Sequence, residues 1–375
     1  MVEHFRRLAD DPLRLSAFQR AIAEVVRPGD VVADIGCGLG TFSIFASRAG
    51  AARVYAVEES AIVEVAREVV RANGCADRVR FVTGRSHEIA VPERARVVIF
   101  EDYVSGLLTT QVARTLKDLV ARWLEPGGTL LPARARLWAA PVEDAEGHHA
   151  LDRFAFTHER VAGVDLGPTR RGAFSMPQTC RLPAAALLAA PALVREQALA
   201  EVRDATLQLS VTVEASRDGA VHALLLWFDL ELGSTWLGTG PLSPTSAWWQ
   251  LRFALERPLE VQAGRPLAVQ LQAAPFGDQL VWRWSVTVGQ EVAQGNSLEG
   301  TPMRADLLAL SREDHVPRSG SDLEIDRAVL AAVDGRRSVG EIARLVAASF
   351  PEKLGAVGEA VARVGGVLAR YGSRD

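Results

Sequence analysis

The chain has 375 residues, enough for two or three domains, and its 48% hydrophobic and 23% charged residues are typical of a folded globular protein. The net charge of −4 excludes an overall basic field that would attract nucleic acid. Cys37, Cys75 and Cys180 form no Cys-x-x-Cys pair, so neither a disulfide framework nor a metal site is expected. No apolar signal segment begins the chain, and its most apolar stretch, residues 182–194, is too short to span a bilayer. A cytoplasmic protein without a membrane segment is therefore predicted.

The first part of the chain alternates helical and strand patterns. Residues 1 to about 28 are predicted to contain a helix, because apolar side chains recur near helical spacing before Pro28-Gly29. The predicted strands that follow are residues 31–35, 54–57, 79–82, 97–100 and 129–131, and the helices between them are 40–49, 61–73 and 109–123. Short apolar strands separated by helices indicate a parallel sheet covered on both faces, an α/β Rossmann-like domain.

The patterning changes after residue 133. Alternating apolar and polar residues predict an antiparallel β domain whose strands are 207–213, 222–232, 248–255, 267–273 and 280–288. Residues 144–200 are less regular and are predicted to hold an inserted arm. Helical patterning returns at 325–333, 339–350 and 354–371. The predicted domains are therefore 1–132, 133–300 and a small helical domain at 305–375.

The strongest local signal is a strand that runs into a glycine-rich turn and then a helix. Gly36, Gly38 and Gly40 follow Asp34, and they let backbone N–H groups at a helix N-terminus approach a ligand. Glu58 ends the next strand, where a carboxylate can accept both hydroxyls of a ribose. A dinucleotide site usually reads Gly-x-Gly-x-x-Gly. The Gly-x-Gly-x-Gly spacing after an aspartate resembles class I S-adenosylmethionine (SAM) methyltransferases, and SAM is the predicted cofactor.

A longer resemblance extends from this loop. The stretch VVADIGCGLGTFSIFASRAGAARVYAVEES resembles the cofactor motif of the protein arginine methyltransferase family, and LADDPLRLSAFQRAI is similar to the helix that precedes it. By that match Arg14 would pair with the methionine carboxylate of SAM. The segments VTGRSHEIAVPERARVVIFEDYVSGLL and WLEPGGTLLPARARLWAAPVED resemble the family's adenine strand, first catalytic loop and crossover into a β-barrel. The resemblance covers residues 4 to about 290. It implies a SAM-binding domain, an antiparallel β-barrel and a homodimer formed through the arm.

The catalytic positions depart from the family pattern. The family uses two glutamates nine residues apart, because two carboxylates grip a planar guanidinium and orient it. The first matches Glu101, but the second falls on Thr110. Asp102 is the other candidate catalytic carboxylate. The family's Thr-His-Trp segment here has Ala247 in place of histidine, followed by Trp248.

Further positions are assigned by the same match. The family's adenine-contacting glutamate falls on His87. Either His87 or its neighbour Glu88 would contact the adenine, and a solvent-facing His87 is the alternative. Tyr103 and Trp248 are predicted to border the substrate cleft. His222 lies on a predicted strand and is interpreted as a structural histidine.

The last 75 residues resemble a different family. Residues 323–342 read as a helix, an Asp-Gly turn and a second helix that begins with a capping box, Ser338 with Glu341. This pattern resembles PqqD-like winged-helix domains, which implies that the domain holds a leader peptide of a peptide substrate. A structural or dimerising cap is the alternative.

The residues together predict a SAM-dependent methyltransferase that transfers a methyl group directly to a nitrogen or oxygen nucleophile held by Glu101. Because the departures from the family pattern lie at the catalytic positions, we expect a peptide or small-molecule acceptor rather than a standard protein arginine. A conventional arginine methyltransferase is the first alternative. A SAM-binding scaffold without activity is the second.

Overall fold

The computed structural model describes residues 8–154, 163–243, 247–300, 312–318, 320–354 and 357–371. The chain divides into two compact units, Met1–Pro302 and Met303–Asp375. The first unit contains both the predicted Rossmann-like domain and the predicted β domain. The second unit contains the C-terminal helices.

The first unit begins with helix α1 (Pro12–Val25), which matches the predicted N-terminal helix. The Asp11 carboxylate caps this helix by accepting a hydrogen bond from the Arg14 N–H at 3.0 Å, and Pro12 supplies a φ angle suited to a first turn. The helix buries Phe18, whose ring stacks on Phe42 at a centroid distance of 4.5 Å. This contact ties α1 to the helix that follows the glycine-rich loop.

A five-stranded parallel sheet forms the centre of the Rossmann-like domain. Its strands are β1 (Val31–Ile35), β2 (Arg53–Glu58), β3 (Val79–Thr83), β4 (Ala95–Phe100) and β5 (Leu124–Leu131), in the order β3-β2-β1-β4-β5. The helices between them are α2 (Thr41–Arg48), α3 (Ile62–Ala72) and α4 (Thr110–Asp118), the last followed by a π-helical turn (Leu119–Trp123). The predicted parallel sheet is confirmed. The strand order reverses between β1 and β4, and such a reversal opens a ligand crevice at the carboxyl ends of the strands.

The β domain consists of two antiparallel sheets. Its strands are β6 (Arg134–Val142), β7 (Gln178–Cys180), β8 (Ala192–Ala198), β9 (Leu207–Glu214), β10 (Gly219–Leu232), β11 (Thr235–Gly238), β12 (Gln250–Val261), β13 (Pro266–Phe276), β14 (Gln279–Val288) and β15 (Glu291–Asn296). One sheet has the order β7-β12-β10-β6-β8, with β11 paired to β10, and the other has the order β15-β14-β13-β9. Buried residues alternate along β13, at Leu267, Val269 and Leu271, and join a core shared with the parallel sheet.

The irregular stretch 144–200 contains both helices and strands. Its first part carries helix α5 (Ala145–Phe154) and the short helix α6 (Arg170–Phe174), but its second part carries β7 and β8. These strands pair with β12 and β6 and complete the six-stranded sheet. The prediction placed an arm within 144–200, and it stays a prediction for the helical part of the stretch. Both strands are short and show no clear alternation of buried and exposed residues, so the sequence pattern did not indicate them.

The second unit contains α7 (Ser321–Ala332), α8 (Val339–Ser349) and α9 (Val357–Tyr371), which match the three predicted helices. The predicted capping box is present, since Ser338 Oγ accepts from the Glu341 N–H and the Glu341 carboxylate accepts from the Ser338 N–H. Buried side chains of the three helices form one small core, which includes Ile325, Val346 and Val364. Among the described residues, no helix combines the length and the apolarity needed to cross a bilayer.

Candidate active site

Two cavities meet at the carboxyl end of β4. The first, about 480 Å³, lies beside the glycine-rich turn and the ends of β2 and β3, and we call it the glycine-loop cavity. The second, about 900 Å³, lies between the loop after β4 and the β domain. We call it the aromatic cavity, because Tyr103 and three tryptophans line it. Glu101 and Asp102 line both cavities, so a group bound in one cavity can face a group bound in the other at these two carboxylates.

The turn after β1 is shaped by backbone hydrogen bonds. The N–H groups of Gly36 and Cys37 both donate to the Val57 carbonyl at 2.9 Å, which fixes the turn against the end of β2. Gly36 has a φ of 74°, a value that favours glycine. A Cβ at Gly36 would have no atom within 4 Å, and Gly36 lines the glycine-loop cavity, so this position leaves room for a ligand.

Glu58 is buried at the end of β2 and lines the same cavity. One carboxylate oxygen accepts from the Gly38 N–H at 3.0 Å, and the other accepts from the Ser60 N–H at 2.9 Å. Each oxygen has a further lone pair, so the carboxylate is held in place and can still accept two hydroxyl groups. This geometry suits the ribose role predicted for Glu58.

Asp34 does not contact the glycine-loop cavity, because it is not among the described residues that line it. Its carboxylate instead accepts a hydrogen bond from Ser43 Oγ at 2.6 Å. Burial raises the pKa of Asp34 to about 6, although the Ser43 hydrogen bond opposes the rise. Asp34 therefore anchors α2 beneath the turn. Gly40 likewise serves packing, because a Cβ there would lie 3.0 Å from Val70 Cγ2.

His87 and Glu88 differ in their position relative to the glycine-loop cavity. His87 lines the glycine-loop cavity together with Arg85 and Ser86, whereas the Glu88 side chain is about half exposed and lies 3.9 Å from the Arg85 guanidinium. Of the two candidates for an adenine contact, only His87 borders the cavity. Glu88 is in a position to orient it, with its carboxylate 3.7 Å from His87 Nε2.

Arg14 forms a buried ion pair with Glu101. The Nη1–Oε2 distance is 2.7 Å, and the two side chains are 4% and 12% exposed. Arg14 Nη2 donates to the Leu8 carbonyl at 2.7 Å, and the guanidinium lies over the rings of Phe42 and Trp248. Its Nε atom is buried and has no hydrogen-bond acceptor among the described residues. The ion pair with Glu101 was not predicted, and Arg14 is not among the described residues that line either cavity.

The ionisation of Glu101 reflects this environment. Burial raises its pKa to about 7, the Arg14 charge and hydrogen bond oppose the rise, and Asp102 adds to it. Glu101 follows directly after β4, at the crevice end of the sheet. A carboxylate with this pKa can carry either a charge or a proton near neutral pH.

Aromatic rings form a large part of the wall of the aromatic cavity. Tyr103, Trp248, Trp249 and Trp282 line it, with Asp278 as a further carboxylate. The predicted cleft residues Tyr103 and Trp248 are thus both on its wall. Thr110 is the first residue of α4, and its Oγ1 is buried without a hydrogen-bond partner in the part of the chain that the structure describes.

Asp11 is a site residue that the sequence did not single out. It is buried, and while one carboxylate oxygen caps α1, the other accepts a hydrogen bond from the Ala247 N–H. Asp11 therefore joins the helix that carries Arg14 to the segment that carries Trp248. An aspartate before a proline is an ordinary helix N-cap pattern, and it does not by itself point to a site residue.

His222 has the structural role that was predicted. Its Nδ1 lies 2.9 Å from the Ala220 carbonyl, and its ring lies against the ring of His148 at 5.4 Å. It lines neither of the two cavities described above.

Two family models match the chain. Residues 32–128 match a methyltransferase domain, and residues 133–280 match the arginine methyltransferase oligomerization subdomain. The glycine-loop cavity lies within the first match, and most of the β domain lies within the second. The predicted class, a SAM-dependent methyltransferase, is confirmed.

Curated relatives define the family more closely. A probable histone-arginine methyltransferase CARM1 of Oryza sativa is 31% identical over 74% of this chain and 55% of its own length. The protein arginine N-methyltransferase 1 of Schizosaccharomyces pombe is 31% identical over 65% of this chain and 73% of its own length. The chain belongs to the protein arginine methyltransferase family. It spans only 44% to 60% of the length of the first curated relatives that it matches.

Solved structures share the fold. The Trypanosoma brucei PRMT1 enzyme-prozyme complex with AdoHcy has a TM-score of 0.70 at 23% identity, covering 78% of this chain and 97% of that one. Arabidopsis thaliana protein arginine methyltransferase 10 has a TM-score of 0.68 at 21% identity, covering 79% and 98%. These matches extend over both the parallel sheet and the β domain.

Proposed function

We propose that the chain is a protein arginine N-methyltransferase, which transfers a methyl group from SAM to a guanidinium nitrogen of an arginine side chain. The observation that carries this proposal is the position of Glu101, a buried carboxylate on the wall shared by the two cavities. The names of the relatives support it, since they are histone-arginine and protein arginine methyltransferases. They favour arginine over the non-arginine acceptor that the sequence had suggested.

The glycine-loop cavity fits the predicted cofactor. Its volume suits a nucleoside with a short side chain, and Glu58 presents fixed oxygens to a ribose. Arg14 does not line this cavity and is paired with Glu101, so its pairing with the methionine carboxylate stays a prediction. His87, which lines the cavity, would contact the adenine. SAM supplies an activated methyl group, so catalysis by the protein consists mostly of positioning and charge placement.

Glu101 and the aromatic wall hold the acceptor. The ionised Glu101 accepts hydrogen bonds from the guanidinium N–H groups and attracts its positive charge, which places one nitrogen at the junction of the cavities. Asp102 adds negative charge at the same junction. The tryptophan rings offer flat faces on which a planar guanidinium can stack.

A direct assay tests this proposal. The full chain is incubated with SAM and a peptide that has one arginine between glycines, and both S-adenosylhomocysteine and peptide mass are followed. We expect methylarginine from this peptide and no methylation of the matched peptide with lysine in place of arginine. Binding of SAM without product on a broad panel of arginine peptides and proteins would contradict the proposal and favour a non-catalytic scaffold.

Thr110 favours a second candidate, a peptide or small-molecule acceptor other than arginine. The position that carries the second carboxylate in the family pattern has only a hydroxyl here. The variant Thr110→Glu restores that carboxylate at a helix N-terminus, where a negative charge is favourable. Gain of activity on arginine peptides would support guanidinium as the acceptor. No gain, together with activity on a small-molecule panel, would support the second candidate.

The family assignment also supports a homodimer, because the β domain matches an oligomerization subdomain. Light scattering at micromolar concentration should give twice the chain mass, and a monomer would contradict this. The helical unit has a cavity of about 390 Å³ that would hold a leader segment with apolar and charged side chains, and it is lined by Arg337, Glu341, Arg344, Leu345 and Ala348. Fluorescence anisotropy with such a peptide tests this partner, and absence of binding would favour a structural cap.

A further inference from the structure

Tyr103 has a buried hydroxyl without a partner. The residue is 6% exposed, and among the described residues no group forms a hydrogen bond with its Oη atom. Its ring packs edge-on against Phe100 at 5.2 Å, which fixes the side chain against the end of β4. A buried hydroxyl without a hydrogen bond is destabilising, and buried polar groups are normally satisfied. The unpartnered phenol therefore suggests that a bound ligand supplies its hydrogen-bond partner.

The position of Tyr103 indicates which function. It is two residues after Glu101, and it lines the aromatic cavity together with Glu101 and Asp102. Burial raises the pKa of Tyr103, and the negative charges of Glu101 and Asp102 raise it further. The phenol therefore remains protonated and uncharged. An uncharged hydroxyl can accept one hydrogen bond and donate another beside a carboxylate without adding repulsion.

We propose that Tyr103 is an acceptor-binding residue whose hydroxyl accepts a hydrogen bond from a guanidinium N–H held by Glu101. This rests on the proposed function and extends it to the residue that replaces the absent second carboxylate. The acceptor supplies the partner that the hydroxyl lacks in the ligand-free protein. One charged and one neutral oxygen then orient the guanidinium.

A pair of tyrosine variants tests the proposal. Tyr103→Phe removes only the hydroxyl, and Tyr55→Phe is the matched control, because the Tyr55 hydroxyl donates to Glu93 at 3.2 Å far from the aromatic cavity wall. With the single-arginine peptide, Tyr103→Phe should lower kcat/KM by about 10- to 100-fold, as expected for a lost hydrogen bond to a charged group. Tyr55→Phe should leave kcat/KM within about twofold of the wild type. The affinity for SAM should not change in either variant.

Thermal unfolding of the ligand-free variants gives a second readout. Tyr103→Phe should keep or raise Tm, because it removes an unsatisfied group, whereas Tyr55→Phe should lower Tm by about 2–4 °C. An equal loss of Tm in both variants would overturn the proposal, since Tyr103 would then have a partner in the resting protein. Unchanged kcat/KM in Tyr103→Phe with an active wild type would overturn it as well. A wild type inactive on every arginine peptide would instead overturn the proposed function, and the Tyr103 assignment would fail with it.

Discussion

Replacing Glu101 by glutamine changes both stability and turnover. In the wild type the Arg14 guanidinium is almost fully buried and bonded to Glu101 at 2.7 Å. Removing one partner of a buried ion pair commonly costs about 3–5 kcal/mol, because the other charge stays buried without compensation. Glutamine keeps one oxygen that can accept from Arg14, and it relieves the burial of the carboxylate. The expected loss of unfolding free energy is therefore smaller, about 2 kcal/mol.

Urea unfolding at two pH values measures this loss. At pH 8 the carboxylate of Glu101 is mostly ionised, because its pKa is about 7, and the stability that the raised pKa contributes is lost. At pH 5.5 the carboxyl is mostly protonated, so the stability of the wild type relative to the glutamine variant should be greater than at pH 8. Glu68→Gln is the matched control, since the Glu68–Arg71 pair is exposed and such pairs contribute about 0–1 kcal/mol.

Turnover of Glu101→Gln should fall by about 10²- to 10⁴-fold, the usual range for a positioned acid or base. The lost charge no longer attracts the guanidinium or takes up its N–H hydrogen bonds. A stability difference between the variant and the wild type that is the same at pH 5.5 and pH 8 would refute the raised pKa of the buried Glu101. Full turnover would refute the catalytic assignment and leave proximity alone as the mechanism.

Three further predictions concern pH, the cofactor and the helical unit. Burial raises the pKa of Glu101 to about 7, so kcat/KM should increase as pH rises through about 7 and the carboxylate ionises. The stability that this group contributes is complete below its unfolded pKa and is lost as pH rises through 7. A pH series of peptide turnover checks the first expectation, and a pH series of urea unfolding checks the second. Glu58→Gln should weaken SAM binding about 10- to 100-fold by isothermal titration, and unchanged affinity would place the ribose elsewhere. Ser338→Ala should destabilise the helical unit by about 1 kcal/mol in urea unfolding followed by hydrogen exchange, because it removes the cap of α8.

The cofactor half of the site was predictable because its signals are local. A strand, a glycine turn and a helix N-terminus follow one another within about 15 residues, and Glu58 is marked by its place at the end of the next strand. The structure places Gly36 and Glu58 on the cavity wall as expected. Asp34 belongs to the same motif, but its contact with Ser43 depends on how α2 packs, which the motif does not specify.

The acceptor half depends on contacts between distant segments. Asp11 and Ala247 are 236 residues apart and are joined by one hydrogen bond. Neither residue type indicates such a pairing, because an N-cap aspartate and an alanine have ordinary local roles. The Arg14–Glu101 ion pair and the pairing of β7 with β12 are long-range in the same way. The unpartnered hydroxyl of Tyr103 is a property of packing, and no sequence pattern reports it.

Two departures from the family pattern lie on the acceptor side of the junction, where Thr110 and Ala247 lack the side chains that the pattern carries. On the wall of the glycine-loop cavity Glu58 is kept, whereas His87 stands where the pattern has a glutamate. Negative charge at the junction is concentrated on Glu101 and Asp102, and aromatic rings form much of the remaining wall. A planar cation can bind a carboxylate with its edge and an aromatic ring with its face at the same time. Under the proposed function, a site with one carboxylate and an aromatic wall would therefore still select a planar cation over a tetrahedral ammonium, which supports arginine rather than lysine as the acceptor.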